Sequence, residues 1–413
     1  MKKEKIDYKK AAIDLHKKLR GKISVISKSP VTKDTLSLLY TPGVAEPCRL
    51  IAVKKELVYD YTSRHNMIAI VSDGSAVLGL GNIGPEAGLP VMEGKAILFK
   101  TFGGVDAFPI CLATQDTAEI IKTVKYLAPS FGGINLEDIS APRCFEVEKR
   151  LIAETDIPIF HDDQHGTAVV VLAGLINIFK MDKRKIDHVR IVINGAGAAG
   201  MAICKFLLKY GFKHIILCDR HGAIYEGRGE GMNPVKDEIV KLTNLDKEKG
   251  ELKDIIKGAD VFLGVSVADA LIPEMIRSMA KDPIIFAMAN PDPEILPPAA
   301  KSAGAKYIAT GRSDFANQIN NVLAFPGIFR GTLSVRARVI NDEMKIAASL
   351  AISSLIPDKE LTPDYFIPKA YDLRIAPKVA RFVAEEAIRT EVARINKSGV
   401  HVEKETKVLL GVK

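Results

Sequence analysis

The chain has 413 residues, 47% of them hydrophobic and 26% charged, an ordinary globular balance with enough length for two domains. Its net charge of +8 is spread along the sequence, and no window interleaves lysines with aromatics, so no nucleic-acid site is expected. A positive field of this kind suits a small anionic substrate instead.

The five cysteines are far apart and lack metal-ligand spacing, which argues against a disulfide framework or a zinc site and points to a reducing, cytoplasmic setting. The N-terminal stretch MKKEKIDYKKAAIDLHKK has no uninterrupted apolar core, so it does not read as a secretory signal. Only the short Lys-rich ends read as disordered.

Taken in chain order, the first feature is Tyr40 in LLYTPGVA, before a Pro-Gly turn where a phenol can point into a cleft. A strand follows at 67–71. GLGNIG (79–84) matches G-x-G-x-x-G, but the spacer SDGSAVL separates it from that strand and no helix is expected directly after it. A dinucleotide site is therefore rejected there. Lys95, in VMEGKAILF, has a glycine before it and an apolar helix after it. Beside buried carboxylates and a metal, a lysine can have its pKa lowered toward that of a base. On residues alone, an exposed lysine and a core tyrosine remain equally good readings of these two positions.

Strands are next expected at 107–113, around 131–137 and at 157–160, with helices at 116–128 and 142–154. Glu137-Asp138 ends one strand and Asp162-Asp163 follows another. If those strands are neighbours, four carboxylates converge, and an oxygen-only cluster suits Mg²⁺ or Mn²⁺. Asp138 can also cap the helix at 142–154. His161 and His165 are read as structural, because hard cations prefer oxygen. The apolar stretch 166–179 is too short to span a bilayer and is read as a buried helix, so no membrane association is expected.

A second strand set follows at 190–194, 214–219, 261–265, 284–290 and 307–310, with helices at 199–210 and 273–280. Gly195, Gly197 and Gly200 directly follow the first of these strands and open a helix. Asp219 lies about 20 residues on, where it can accept hydrogen bonds from an adenine ribose. The helix N-terminus supplies free N–H groups for a pyrophosphate. Asp219 should repel a 2′-phosphate and so favours NAD, while Arg220 and His221 leave NADP open. Two helices, 334–355 and 377–395, close the chain. The pattern predicts an α/β protein of two domains with parallel sheets.

LLYTPGVAEPC, SDGSAVLGLGNIGPEAGLPVMEGKAILFK, GGINLEDISAPRCFEVE, FHDDQHGTA, INGAGAAG, ANPDPE and GRSDFANQINNVLAFPGIFRG together resemble the short, prokaryotic-type malic enzymes, in the family's order. The resemblance implies oxidation of L-malate with NAD or NADP and decarboxylation to pyruvate and CO₂. It implies an N-terminal α/β substrate and metal domain over 1–160 and a Rossmann-type domain with C-terminal helices over 161–413. Glu137, Asp138 and Asp163 would bind Mn²⁺ or Mg²⁺. Lys95, paired with Asp162, would take the proton from the C2 hydroxyl, and Tyr40 would protonate C3. Asn290 and Asn321 would contact substrate. Gly195, Gly197, Ala198, Ala199, Gly200, Asp219 and Asn290 would line the cofactor site. A homodimer is implied, with active sites that can borrow residues across the interface.

One departure concerns position 76, where many larger members carry an arginine that grips the substrate carboxylate; here it is Ala76, preceded by Ser75. Three rival readings share the fold: a malolactic enzyme, an oxidative decarboxylase of another 2-hydroxy acid, and an NAD-binding module without turnover.

Overall fold

A computed structural model describes residues 7–412; the start of the Lys-rich N-terminal end and Lys413 lie outside the described residues. Among the described residues, ten strands form two sheets. The first holds β1 (Met67–Ser72), β2 (Asp106–Cys111), β3 (Gly133–Leu136) and β4 (Ile159–His161), all parallel, in the order β2-β1-β3-β4. The second holds β5 (Arg190–Asn194), β6 (His214–Asp219), β7 (Gly222–Ala223), β8 (Val261–Gly264), β9 (Ile284–Ala287) and β10 (Tyr307–Thr310). Its order is β10-β9-β8-β5-β6-β7, parallel except for the edge strand β7. Every strand read from the apolar runs is present; the two-residue β7 is the addition.

One helix contradicts the sequence reading. Helix Pro85–Gly103 begins directly after Gly84, so a helix does follow GLGNIG, and Lys95 lies inside it rather than ahead of it. Pro85, Gly88, Pro90 and Gly94 disguise it, since interior proline and glycine are poor helix formers. Pro85 at the first turn is tolerated because its missing N–H has no intrahelical role there. The buried stripe Gly88, Met92, Ala96, Phe99 and Gly103 holds the helix against the core.

Helix Asp162–Asp182, at 21 residues, is long and apolar enough by length and composition to cross a membrane. Here it is a core helix, packed on helices Ala198–Tyr210 and Asp342–Ser353. It is apolar on every side because it is buried on every side. Burial of each of Val169, Val170, Leu172 and Leu175 contributes ~1.5–3 kcal/mol.

The expected helix 334–355 shortens to Asp342–Ser353, and a break over 335–341 separates it from Phe325–Ser334, a helix the sequence reading did not place. The break has a local cause: the Asn341 side chain accepts from the Met344 N–H at 2.9 Å and caps the second helix. The expected 377–395 is Ile375–Arg389, and a further helix, Gly399–Leu410, follows it. Helix Phe325–Ser334 crosses Ile375–Arg389 so closely that a Cβ on Gly331 would stand 2.5 Å from the Ala380 carbonyl oxygen. Helices Phe325–Ser334 and Gly399–Leu410 return to pack on Pro85–Gly103, so the C-terminal helices join both sheets. One apolar cluster accordingly runs across both sheets, from Ile68 and Phe99 through Leu172 and Ile191 to Phe329 and Val379.

The N-terminal helices Tyr8–Leu19, Lys33–Leu39 and Ala45–Val53 bury no residue. Leu15, Leu19, Ile26, Leu38 and Val53 are exposed along this segment.

Candidate active site

The acidic pairs meet because β3 and β4 are neighbours. Leu136 pairs with His161, so Glu137-Asp138 and Asp162-Asp163 leave adjacent strands at the same edge. One oxygen from each of Glu137, Asp138 and Asp163 lies within 4.8 Å of the others. Asp138 adopts a left-handed backbone (φ 55°), and its N–H donates to Asp163 Oδ2 at 2.8 Å. Glu137 Oε2 accepts from Asn135 Nδ2 at 2.8 Å. Burial, followed by the charge of Asp163, pushes Asp138 up to about 8. Burial also pushes Glu137 up; Lys95 opposes this, and the three neighbouring aspartates reinforce it. Asp138 Oδ2 and Asp162 Oδ1 are buried without a hydrogen-bond partner among the described residues. Crowded, desolvated carboxylates with unused oxygens fit a divalent cation bound through oxygen.

Lys95 Nζ lies 2.5 Å from Asp162 Oδ2 and 2.8 Å from Glu137 Oε1. It also lies 4.4 Å from the centroid of the Phe325 ring. Burial alone favours the neutral amine, but the charges of Asp162 and Glu137 and their hydrogen bonds outweigh it. Among these carboxylates alone the lysine is therefore raised above its ordinary value; the lowering expected from sequence supposed a metal beside them as well. Asn321 Nδ2 donates to Asp162 Oδ2 at 3.0 Å, and Thr167 Oγ1 donates to Asn321 Oδ1 at 2.9 Å. Lys95, Asp162, Glu137 and Asn321 thus form one hydrogen-bonded group.

His161 borders the oxygen cluster, with its Nδ1 3.7 Å from Asp163 Oδ2, while His165 turns to Glu148 and Lys345. His165 Nε2 lies 2.9 Å from Glu148 Oε1, and its Nδ1 lies 3.2 Å from Lys345 Nζ. The His161 backbone N–H donates to Glu148 Oε1 at 3.0 Å. Burial opposes ionisation of Glu148, but His165, His161 and Lys345 outweigh it and hold the carboxyl down at about 2. Sequence reading missed Glu148. Its signal was an acid on the buried stripe Cys144, Val147 and Leu151 of helix Arg143–Glu154.

In the second sheet, β5 runs into Gly195, whose φ of +116° suits glycine. A Cβ on Gly200 would stand 1.8 Å from the Gly195 carbonyl oxygen, so a side chain there is excluded. At Gly197 a Cβ would meet nothing within 4 Å, because this position faces open space. Helix Ala198–Tyr210 starts at this point, with Ala198 and Ala199 in its first turn. A cleft of about 690 Å³ opens over the turn, lined by Gly195, Gly197, Asp219, Arg220, His221 and Lys236 among others. These glycines, the helix end and the open cleft fit a dinucleotide.

Asp219 is engaged within the protein. Arg228 donates to both its oxygens, at 2.9 and 2.5 Å, and Lys236 Nζ donates to Oδ2 at 2.6 Å. Burial opposes ionisation, but these bonds and the His221 N–H hold Asp219 well below the usual carboxylate range. The repulsion toward a 2′-phosphate expected from Asp219 alone is therefore offset by two adjoining cations.

Two expected site residues make no hydrogen bond to the Lys95 group among the described residues. Tyr40 ends helix Lys33–Leu39, is 68% exposed, and its hydroxyl has no hydrogen bond among the described residues. Asn290 is exposed on the loop after β9. A Cβ on Gly79 would stand 2.5 Å from the Asn290 carbonyl oxygen, so the GLGNIG loop presses against that loop. At the Ala76 position an arginine does approach from elsewhere. Arg143 Nη2 donates to Asp73 Oδ2 at 2.9 Å and to Ser75 Oγ at 3.0 Å, and the Ala76 N–H donates to the Asp138 carbonyl.

A glycine turn opening a helix at the carboxyl end of a central parallel strand, with a carboxylate-lysine cluster on the neighbouring sheet, defines a dinucleotide-binding α/β enzyme. The chain belongs to the malic enzyme family: residues 20–152 match the malic enzyme N-terminal domain and residues 164–388 the malic enzyme NAD binding domain. It is 60% identical to a bifunctional malic/malolactic enzyme of Bacillus subtilis, over 96% of this chain and 97% of that protein. It is 57% identical to an NAD-dependent malic enzyme of Geobacillus stearothermophilus, over 91% of this chain and 78% of that protein. The crystal structure of a malic enzyme from Pyrococcus horikoshii superposes with a TM-score of 0.92 at 46% identity, covering 98% of this chain and 96% of that one.

Proposed function

We propose that this chain oxidises L-malate at C2 with NAD or NADP and decarboxylates the product to pyruvate and CO₂. The observation that carries the reading is the buried Lys95 held between Asp162 and Glu137, with Asn321 on the same Asp162 oxygen. Glu137, Asp138 and Asp163 would hold Mn²⁺ or Mg²⁺, which when bound supplies Lewis-acid stabilisation of the developing oxygen charge. With its amine in the neutral form, Lys95, hydrogen-bonded to Asp162, would take the proton that leaves the C2 hydroxyl. Asp162 orients the amine, and Asn321 orients Asp162. Asn321 and Asn290 offer neutral amide donors to the substrate carboxylates. Tyr40 donates the proton to C3 once CO₂ has left.

The dinucleotide's pyrophosphate would lie over Gly197 at the start of helix Ala198–Tyr210, beside Gly195, Ala198, Ala199 and Gly200. The adenine ribose would face Asp219. NAD needs no cation there, while Lys236 and Arg228 offset Asp219 enough for the 2′-phosphate of NADP to be accepted as well. We place the domain division after residue 160, ahead of the core helix Asp162–Asp182. The exposed apolar side chains of the N-terminal helices support a homodimer, and the exposed Tyr40 supports an active site completed across it. Five free cysteines support a cytoplasmic setting.

Malolactic turnover, with lactate as product and the dinucleotide retained, is the second reading. The name of the 60% identical Bacillus subtilis relative favours it. The test is to supply L-malate and Mn²⁺ with NAD and NADP in parallel and to assay reduced dinucleotide, pyruvate and lactate. Reduced dinucleotide rising in step with pyruvate, and stopped by a chelator, is the expected result. Lactate without net reduction would establish the second reading. No turnover with either dinucleotide would overturn both.

A further inference from the structure

Two helices that contact Lys95 also line a second cavity. Helix Pro85–Gly103 carries Lys95 and, further along, Lys100; helix Phe325–Ser334 carries Phe325, against Lys95, and, further along, Arg330. Lys100 and Arg330 both face an open cavity of about 600 Å³, bordered on its other sides by the loop carrying Lys28, the short helix Val58–Tyr61 carrying Asp60, and helix Gly399–Leu410.

The charges lining this cavity do not cancel. Asp60 pairs with Arg336, Asp106 with Lys100 at 2.6 Å, and Glu405 with Lys397 at 2.7 Å. That leaves Lys28 and Arg330 without a carboxylate partner among the described residues. Lys28 is exposed. Arg330 is only 9% exposed, and such a guanidinium is ordinarily paired with a carboxylate. Its Nη1 donates to Asn66 Oδ1 at 2.5 Å and its Nε to Ser334 Oγ at 3.2 Å, both neutral acceptors. Its Nη2 has no hydrogen-bond partner among the described residues. Burial lowers Arg330 to about 10, with Glu405 and Asp106 opposing the shift from a distance. A desolvated cation with an unused donor, on the wall of a cavity this size, is built to receive an anion.

We propose that this cavity is an effector site for a small dianionic oxyanion, a phosphate ester or a polycarboxylate, gripped by Arg330 and Lys28. Its occupancy reaches malate turnover through the two shared helices, because Lys100 and Arg330 are rigidly continuous with Lys95 and Phe325. The Phe99 and Phe325 rings, with centroids 4.5 Å apart, lock those helices together. The kinetic part rests on the malate reading above; the binding part does not.

The test uses the full chain without malate or dinucleotide, at matched ionic strength, with inorganic phosphate and citrate as separate probes in calorimetric titrations. Saturable binding of at least one probe is expected, weakened at least about 10-fold in Arg330→Gln and in Lys28→Glu. Lys28→Glu keeps the test decisive if the buried Arg330 variant does not fold. Response to phosphate alone, or to citrate alone, identifies which oxyanion chemistry the site takes. The binding probe is then expected to change kcat/KM for malate at least about 5-fold in the wild type and not in Lys28→Glu. Binding lost in Lys236→Gln but kept in both other variants would place the anion in the dinucleotide cleft and overturn the proposal. No saturable binding of either probe would overturn it too, and binding with unchanged kinetics would overturn the effector role.

Discussion

Replacing Lys236 by glutamine tests how the dinucleotide cleft distinguishes NAD from NADP. Lys236 Nζ lies 2.6 Å from Asp219 Oδ2, and its side chain is 12% exposed, so its charge is poorly screened. With Arg228 also on Asp219, the three groups sum to one positive charge; without Lys236 they sum to zero. A 2′-phosphate then loses one charge-assisted hydrogen bond, worth ~1.5–3 kcal/mol. The expected fall in kcat/KM for NADP is therefore about 10- to 150-fold. NAD carries no phosphate there, and freeing one Asp219 oxygen favours its ribose hydroxyls, so its kcat/KM should stay within about 3-fold. The assay is initial-rate kinetics with saturating malate and Mn²⁺, varying each dinucleotide. The reasoning is falsified if both dinucleotides lose activity equally, because Lys236 would then hold the loop rather than the phosphate.

Lys95→Met should lower kcat by roughly 10²- to 10⁴-fold while leaving dinucleotide affinity intact, measured by turnover alongside NADH fluorescence titration. Loss of both together would point to a folding role. Asp138→Asn removes one carboxylate from a crowded buried set, so the metal-free protein should melt higher while calorimetric Mn²⁺ affinity falls by at least about 10-fold. Retained affinity would remove Asp138 from the cation's ligands. Glu148 gives a pH signature. Its folded pKa, about 2, lies below the ordinary 4.5, so its contribution is present above pH 4.5 and lost as pH falls through about 2. That loss is on the order of 3 kcal/mol by linkage. Urea midpoints across this range should show it in the wild type and not in Glu148→Gln.

The strands, the Gly195 turn and the two acidic pairs were legible in the sequence because each is a local signal. An apolar run names a buried strand, and strand ends place the residues that follow them. That placement put Glu137, Asp138, Asp162 and Asp163 at one edge, and the pairing of β3 with β4 confirms it. Helix Pro85–Gly103 was hidden because its prolines and glycines oppose helix formation locally, while the buried Met92–Phe99 face that overrides them is a tertiary fact. Charge was the least legible of all. Whether Lys95 is lowered or raised depends on which carboxylates surround it, and Asp162 lies 67 residues away in the chain. Asp219 read as a bare acid until the fold brought Arg228 and Lys236 onto it. By itself the sequence determined which groups the protein possesses and which strand ends they leave from. The tertiary structure decided their charge partners, because electrostatic energy depends on distance and burial and neither follows from position along the chain.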